Sequence, residues 1–143
     1  MTILLKVISK RKEVIDFLKE LNEIIGKDDF DIDSSFVLIR KNKLNDETHS
    51  TTFTLLDLNY DVSEVIARIN ELTISEYSET LLDKDDVAPP KLYVFGKKIN
   101  EKLVYIKLKI KGDQKRRILC VSFHYARDPM IFPFAVDEKR GEK

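Results

Sequence analysis

The chain has 143 residues, of which 43% are hydrophobic and 35% are charged. This length and apolar fraction predict one domain, 1–143, with one core, and the regular apolar spacing argues against global disorder. No stretch approaches the ~20 apolar residues of a membrane span, and the N-terminus lacks the features of a signal peptide. The single cysteine, Cys120, excludes an internal disulfide and predicts a reducing, cytoplasmic location.

The net charge of zero hides a strong asymmetry along the sequence. Residues 1–90 contain 11 Lys/Arg and 19 Asp/Glu, a net of −8, whereas residues 91–143 contain 14 and 6, a net of +8. An imbalance of this size predicts an anionic partner, such as nucleic acid, for the basic half. The alternatives are that the two halves attract each other or that both are ordinary solvated surfaces.

The first half of the chain has mainly helical spacing. Apolar residues recur at helical intervals over 9–25, with Ser9 as the predicted cap and Gly26 as the predicted end. The acidic segment 28–33 lacks the glycine and the distant glutamate of a calcium loop, so no metal site is predicted, and His49 in its polar loop is assigned no role. The other predicted elements are a strand or helix lead-in over 3–8, a strand over 36–40, one helical turn over 53–58, a helix over 61–71 capped by Asp61, a short helix over 75–82 and a Pro-containing loop over 83–90.

After Pro90 the apolar period changes to two, which is typical of strands. The predicted segments are a strand from Leu92, a turn region over 96–100, strands over 103–110 and 118–124, a basic hairpin loop over 111–117, and an irregular segment with a frayed tail over 126–143. Helices followed by a sheet predict an α+β fold, with N-terminal helices packed on one face of a C-terminal antiparallel sheet.

The two strongest strands, 103–110 and 118–124, define the faces of their hairpin by alternation. A one-residue slip would invert one strand, so the apolar sets must share the core face and paired positions must sum to an odd number. The predicted core set is Val104, Ile106, Leu108, Ile110, Leu119, Val121 and Phe123. The predicted polar face carries Tyr105, Lys107, Lys109, Ser122 and His124, with Cys120 a small, partly covered side chain.

These residue types suit cleavage of an RNA phosphodiester without a metal or any other cofactor. The attacking ribose 2′-hydroxyl needs a proton acceptor, the leaving 5′-oxygen needs a donor, and the phosphorane needs positive charge. His124 can exchange protons near neutral pH, Lys107 can stabilise the phosphate, and Tyr105 can stack on a base or hold a phosphate oxygen. Further RNA-binding candidates are Lys97, Lys98, Lys109, Arg116, Arg117 and Arg127. The few carboxylates in 91–143 argue against a two-metal nuclease. The alternative interpretation is an ordinary solvated sheet face.

Three segments, 72–77, 104–109 and 121–123, resemble those of MqsR toxins, which are RNA-cleaving proteins of toxin–antitoxin pairs with a fold similar to the RelE group. Phe95-Gly96-Lys97 and Ser122-Phe123-His124 are similar to further marks of this group. The resemblance covers roughly residues 10–125. It implies a RelE-like fold, RNA as substrate, a cognate antitoxin as protein partner, and no DNA binding by the isolated chain.

The resemblance also assigns positions. The family's catalytic tyrosine falls on Tyr105. A family lysine falls near Glu79, which is not basic, so either Lys97, Lys98 or Lys107 supplies the missing charge or this member cleaves RNA poorly.

Two other functions fit the same residues. One is a non-catalytic RNA- or ribosome-binding domain that uses the basic sheet, and the other is a protein-interaction module whose charged halves recognise partners. Cleavage of RNA without metals separates the enzyme from both.

Overall fold

The computed structural model describes residues 4–40, 47–83 and 90–135. The helices are α1 (Arg11–Gly26), α2 (Thr51–Leu58) and α3 (Val62–Asn70), and the strands are β1 (Leu4–Val7), β2 (Phe36–Leu38), β3 (Tyr77–Asp83), β4 (Leu92–Ile99), β5 (Lys102–Lys111) and β6 (Arg117–Tyr125). The strands form one open sheet in the order β1-β3-β4-β5-β6-β2, so the predicted α+β class is confirmed. No helix among these residues is long and apolar enough to cross a membrane.

The pairing of β2 with β6 corrects the predicted antiparallel sheet, because these two strands run parallel. The other neighbouring pairs are antiparallel. A tight hairpin dictates the direction of consecutive strands, but β2 reaches the sheet from a distant part of the chain, so no short turn constrains it. The sequence left a strand or a helix lead-in open over 3–8. At the opposite edge of the sheet, β1 shows that this segment contains a strand.

The helix predicted over 9–25 is confirmed as α1, but its predicted cap is wrong. Lys10 is the N-cap residue, and its side chain makes no capping hydrogen bond. The Ser9 hydroxyl instead donates to Glu13 Oε2 (3.0 Å) and lies 2.7 Å from Thr80 Oγ1 of β3. Ser9 therefore joins the helix to the sheet rather than capping the helix backbone.

The helix predicted over 75–82 is wrong, because a single 3₁₀ turn leads directly into β3. The strand bulges between Tyr77 and Glu79, so Tyr77 and Thr80 lie three residues apart on the same face, a spacing that is also typical of a helix. Their hydroxyl oxygens are 2.6 Å apart and buried, and Tyr77 also accepts a hydrogen bond from the Ser9 N–H. These long-range hydrogen bonds stabilise the extended backbone.

The turn between β4 and β5 is shorter than the region predicted over 96–100, because β4 continues through Ile99. The turn consists of Asn100 and Glu101, whose φ angles are 51° and 68°. Positive φ at both central residues is what a two-residue type I′ hairpin requires. The segment Gly96–Lys98 is therefore strand, and its side chains alternate across the sheet.

The predicted hairpin of β5 and β6 is confirmed, but its register is only partly as predicted. The odd-sum register holds from Val104, which pairs with Tyr125, through Tyr105, which pairs with His124, to Lys107, which pairs with Ser122. The next residue, Leu108, pairs with Cys120, so Val121 is an extra residue in β6. Beyond this bulge the paired numbers sum to an even value, and the predicted core positions of β6 change.

The bulge corrects three side-chain positions in β6. Leu119 pairs with Lys109, so it shares the face that was predicted to be polar. Val121 is half-buried as the extra residue of the bulge. Cys120, predicted to be partly covered, is fully buried in the core, where burial raises the pKa of its thiol.

One hydrophobic core lies on one face of the sheet and receives residues from all three helices. Its fully buried strand residues are Tyr77, Phe95, Val104, Ile106, Leu108, Ile118, Cys120 and Phe123. Residues at alternate positions of β5 therefore point to the opposite face. Parts of two other predictions, the Pro-containing loop (84–89) and the frayed tail (136–143), lie outside the described residues.

Two buried threonines of α2 complete the hydrogen bonding of β6 where β2 no longer runs beside it. Thr54 Oγ1 accepts a hydrogen bond from the Tyr125 N–H (3.0 Å), and Thr51 Oγ1 accepts one from the Phe123 N–H (3.4 Å). An unpaired buried N–H is costly, so these contacts fix both α2 and the end of β6. α2 is accordingly longer than the single turn predicted over 53–58.

We expect Thr54→Val to lower the free energy of unfolding by about 1–3 kcal/mol, because it keeps the side-chain volume and leaves the buried Tyr125 N–H without an acceptor. Urea denaturation measures the change. Thr52→Val, at an exposed position of the same helix, is the control and should change stability little. Equal stability of the two variants would show that this N–H does not depend on the threonine.

Candidate functional site

A cleft of about 840 Å³ lies on the sheet face opposite the helices. Its floor consists of side chains from the β5–β6 hairpin, and β1, β3 and the segment 127–133 form its walls. Its polar lining includes Lys6, Ser78, Glu79, Tyr105, Lys107, Ser122, His124, Arg127 and Asp128. The three residues predicted to be catalytic, Tyr105, Lys107 and His124, therefore meet in one cavity.

The wall formed after β6 depends on a glycine in the sheet. A Cβ atom at Gly96 would lie 2.8 Å from Met130 Sδ and 2.8 Å from the ring of Phe132, so a larger residue would displace these two side chains from the sheet. The Ser78 hydroxyl donates to the carbonyl of Ile131 (2.8 Å) and fixes the segment to β3. Sequence reasoning did not predict this wall, although a glycine inside a strand is a signal of close approach.

Tyr105 and His124 form a stacked pair on the floor of the cleft. They are directly opposite in the register of β5 and β6, with ring centroids 5.2 Å apart and planes inclined by 13°. His124 Nδ1 lies 2.9 Å from the carbonyl oxygen of Tyr125. A carbonyl can only accept a hydrogen bond, so Nδ1 carries the proton and Nε2 is the basic nitrogen of the neutral ring.

The environment of the pair shifts both pKa values. Burial lowers the pKa of His124, and electrostatic effects of Lys107, His49 and Arg127 lower it further, against the opposing effect of the Tyr125 carbonyl. Burial and the negative charge of Glu79 raise the pKa of Tyr105 to about 12. At neutral pH the imidazole is therefore a neutral proton acceptor, and the phenol is a proton donor.

Glu79 is a member of the cleft at the position where the family resemblance places a lysine. It lies on β3, opposite Val94 of β4, and is close enough to Tyr105 to act on its pKa. Of the three lysines expected to replace the missing charge, Lys107 lines the cleft. Arg127, predicted to bind RNA, lines it as well.

The other predicted RNA-binding residues lie outside this cleft. Lys97 is 3.2 Å from Glu76 and only 15% of its side chain is exposed, and Arg116 is 2.8 Å from Glu20 of α1. Lys109 pairs with Leu119 farther along the hairpin. Arg117 lines a separate concavity next to α1, and Lys98 is exposed outside the cleft.

Part of the charge asymmetry of the sequence is neutralised by ion pairs within the molecule. Among the described residues, cations of the basic half pair with carboxylates of the acidic half: Lys91 with Glu13, Lys97 with Glu76 and Glu71, Lys102 with Asp57, and Arg116 with Glu20. These contacts support the alternative that the two halves attract each other. Within residues 4–40, 47–83 and 90–135, no three His, Cys, Asp or Glu side chains are grouped so as to hold a metal ion.

We expect the pKa of His124 to lie below the ordinary value of about 6.5 and to rise in a Lys107→Met variant, which removes a neighbouring positive charge. NMR titration of the two imidazoles measures this, with Lys98→Met as the control. The unfolded chain binds this proton at a higher pH than the folded chain does. His124 therefore makes stability fall as pH drops below about 6.5. A His124 pKa above 6.5 would contradict the conclusion that burial and the neighbouring cations lower the pKa of this imidazole.

Comparisons of the chain with protein-family models, with curated proteins and with solved structures find no match. The resemblance to MqsR toxins therefore stands on the short segments quoted above. A RelE-like fold stays a prediction.

Proposed function

We propose that the protein is an endoribonuclease that cleaves RNA by attack of a ribose 2′-hydroxyl on the adjacent phosphate, without a metal ion. The observation that carries the proposal is the stacked pair of Tyr105 and His124, set in a cleft beside Lys107 and Arg127. This arrangement combines a neutral base, a protonated acid and positive charge within one cavity. Those are the three requirements of the reaction.

His124 is the proposed general base. Nε2 accepts the proton of the 2′-hydroxyl while O2′ forms a bond to phosphorus. The P–O5′ bond breaks, and the Tyr105 hydroxyl gives its proton to the leaving 5′-oxygen. The products are a 2′,3′-cyclic phosphate and a 5′-hydroxyl. The imidazolium then loses its proton to water and the Tyr105 phenolate takes one from water, which restores both groups.

Lys107 and Arg127 are the proposed electrostatic partners of the phosphate. Both line the cleft, and both act on the His124 pKa, so their charges lie close to the reacting groups. Positive charge held near the phosphorane stabilises it most where water is partly excluded. Glu79 opposes them, and together with burial, which has the larger effect, its charge raises the pKa of Tyr105. The resemblance to MqsR toxins adds a protein antitoxin as the proposed inhibitor.

The proposal predicts cleavage of single-stranded RNA by the purified protein in EDTA, with 2′,3′-cyclic phosphate ends. Sequencing of ligated ends and ³¹P NMR of the products identify the termini. A 2′-O-methyl RNA lacks the nucleophile and should stay intact. Binding of RNA without cleavage would favour the non-catalytic RNA-binding alternative, and a 3′-hydroxyl end with a 5′-phosphate would exclude the 2′-hydroxyl mechanism.

We expect His124→Ala to lower kcat/KM by about 10²–10⁴ and to remove the acidic limb of the pH profile. In the unmodified protein kcat/KM should rise with pH up to the lowered pKa of His124, below about 6.5, and then stay level. Tyr105→Phe keeps the ring and removes the proton donor, so it should lower kcat with little change in binding. Tyr60→Phe, outside the cleft, is the matched control.

Neither cleft substitution should change the melting temperature much, because both side chains are on the sheet face opposite the core. A folded His124→Ala protein that cleaves RNA at the original rate would show that His124 is not the general base. An unchanged rate for Tyr105→Phe would leave stacking as the role of its ring.

A further inference from the structure

A second groove, of about 620 Å³, opens next to the main cleft. Its lining comes from the start of α2 and the turn before it, from the first residues of β5, and from the end of β6. The side chains important here are His49, Phe53, Lys102, Tyr125 and Arg127. A concavity of this size is within the usual range for a small organic ligand.

The groove and the main cleft share one boundary. Residues Arg127, Asp128 and Pro129 line both concavities, so this segment forms the ridge between them. Adjacent residues of β6 point to opposite sides, so His124 faces the cleft while Tyr125 faces the groove. His49, in the groove, is also close enough to His124 to act electrostatically on the pKa of its imidazole. A chain molecule bound across the ridge would reach both concavities at once.

The groove has an aromatic surface held in place by polar contacts. Phe53 is 37% exposed and lies edge-on to Tyr125, with ring centroids 6.3 Å apart. The ammonium group of Lys102 lies 4.9 Å from the centroid of the Tyr125 ring, and both side chains bind the carboxylate of Asp57. The Tyr125 ring is therefore fixed, and the accessible part of Phe53 offers a flat apolar surface.

Resting on the proposed function, we propose that this groove is a nucleobase subsite, which takes the base of the nucleotide adjacent to the scissile phosphate of a single-stranded RNA. An exposed aromatic ring beside cations is the arrangement that binds unstacked bases, because every base has a face that can stack. The carboxylate of Asp57 neutralises Lys102, so the groove suits a base better than a phosphate. Arg127, on the ridge, is placed to contact the connecting backbone.

The test is binding of a fluorescent 2′-O-methyl hexanucleotide, which the protein cannot cleave, measured by anisotropy. Phe53→Leu keeps the apolar volume and removes the aromatic face, and should weaken binding about fivefold to 100-fold. Phe53→Tyr restores the ring and should bind like the unmodified protein. Leu56→Ala, on the same helix and 78% exposed, is the matched control and should leave binding unchanged.

The outcomes separate this inference from the proposed function. If Lys107→Glu weakens binding and Phe53→Leu binds as tightly as the Leu56→Ala control, the subsite is wrong and the cleft assignment survives. If the unmodified protein binds no RNA, both proposals fall. If Phe53→Leu and Lys107→Glu each weaken binding and Phe53→Tyr does not, the groove and the cleft bind the same strand.

Discussion

The extra residue in β6, at Val121, is the constraint on which the cleft depends. Ile118 and Cys120 point into the core, and strict alternation would send Ser122 and His124 there as well. The bulge shifts the alternation by one residue, so Phe123 enters the core and His124 opens onto the opposite face. A polar imidazole is thereby kept out of the apolar interior. Its pairing with Tyr105, and the meeting of both rings with Lys107, follow from this one irregularity.

Ion pairs join the helical half to the sheet, and the cleft contains other cations beside the carboxylates of Glu79 and Asp128. Lys91, Lys97 and Arg116 face carboxylates that the first half of the chain supplies. Such partly exposed pairs each add little stability, about 0–1 kcal/mol, so their main effect is on orientation. Two cations of the cleft are Lys107, on the other face of the sheet, and Arg127, just after β6. The net charge of a region therefore says less about a ligand than the face on which each charge lies.

Much of the hairpin could be predicted from the sequence, because strand alternation is a local property. The strands, the polar face of β5, and the approach of Tyr105 to His124 all follow from apolar positions two residues apart. The bulge could not be predicted, because Leu119 and Val121 have the same apolar character as the residues that replace them in the core.

The other wrong or missing predictions share one cause, which is that these elements depend on contacts between residues far apart in the sequence. β3 depends on hydrogen bonds between Tyr77, Thr80 and Ser9, and β2 pairs with a strand far along the chain. The wall at 127–133 has no periodic pattern of its own and is fixed by what it touches, Gly96 and Ser78. Local propensity carries no information about such partners. The parts of the cleft that lie on the hairpin were therefore predictable, and its walls were not.

The single thiol of the chain can be used to measure local opening of the sheet at β6. Cys120 has no exposed surface, its Sγ lies 3.3 Å from the carbonyl of Ser122, and burial raises its pKa. A thiol in this position reacts with an alkylating reagent only as the thiolate and only when β6 separates from its neighbours. The rate of alkylation in native buffer thus measures how often the central hairpin opens. The bulge at Val121 lies next to Cys120. The alkylation rate therefore also reports how often the bulge, which places His124 in the cleft, is lost.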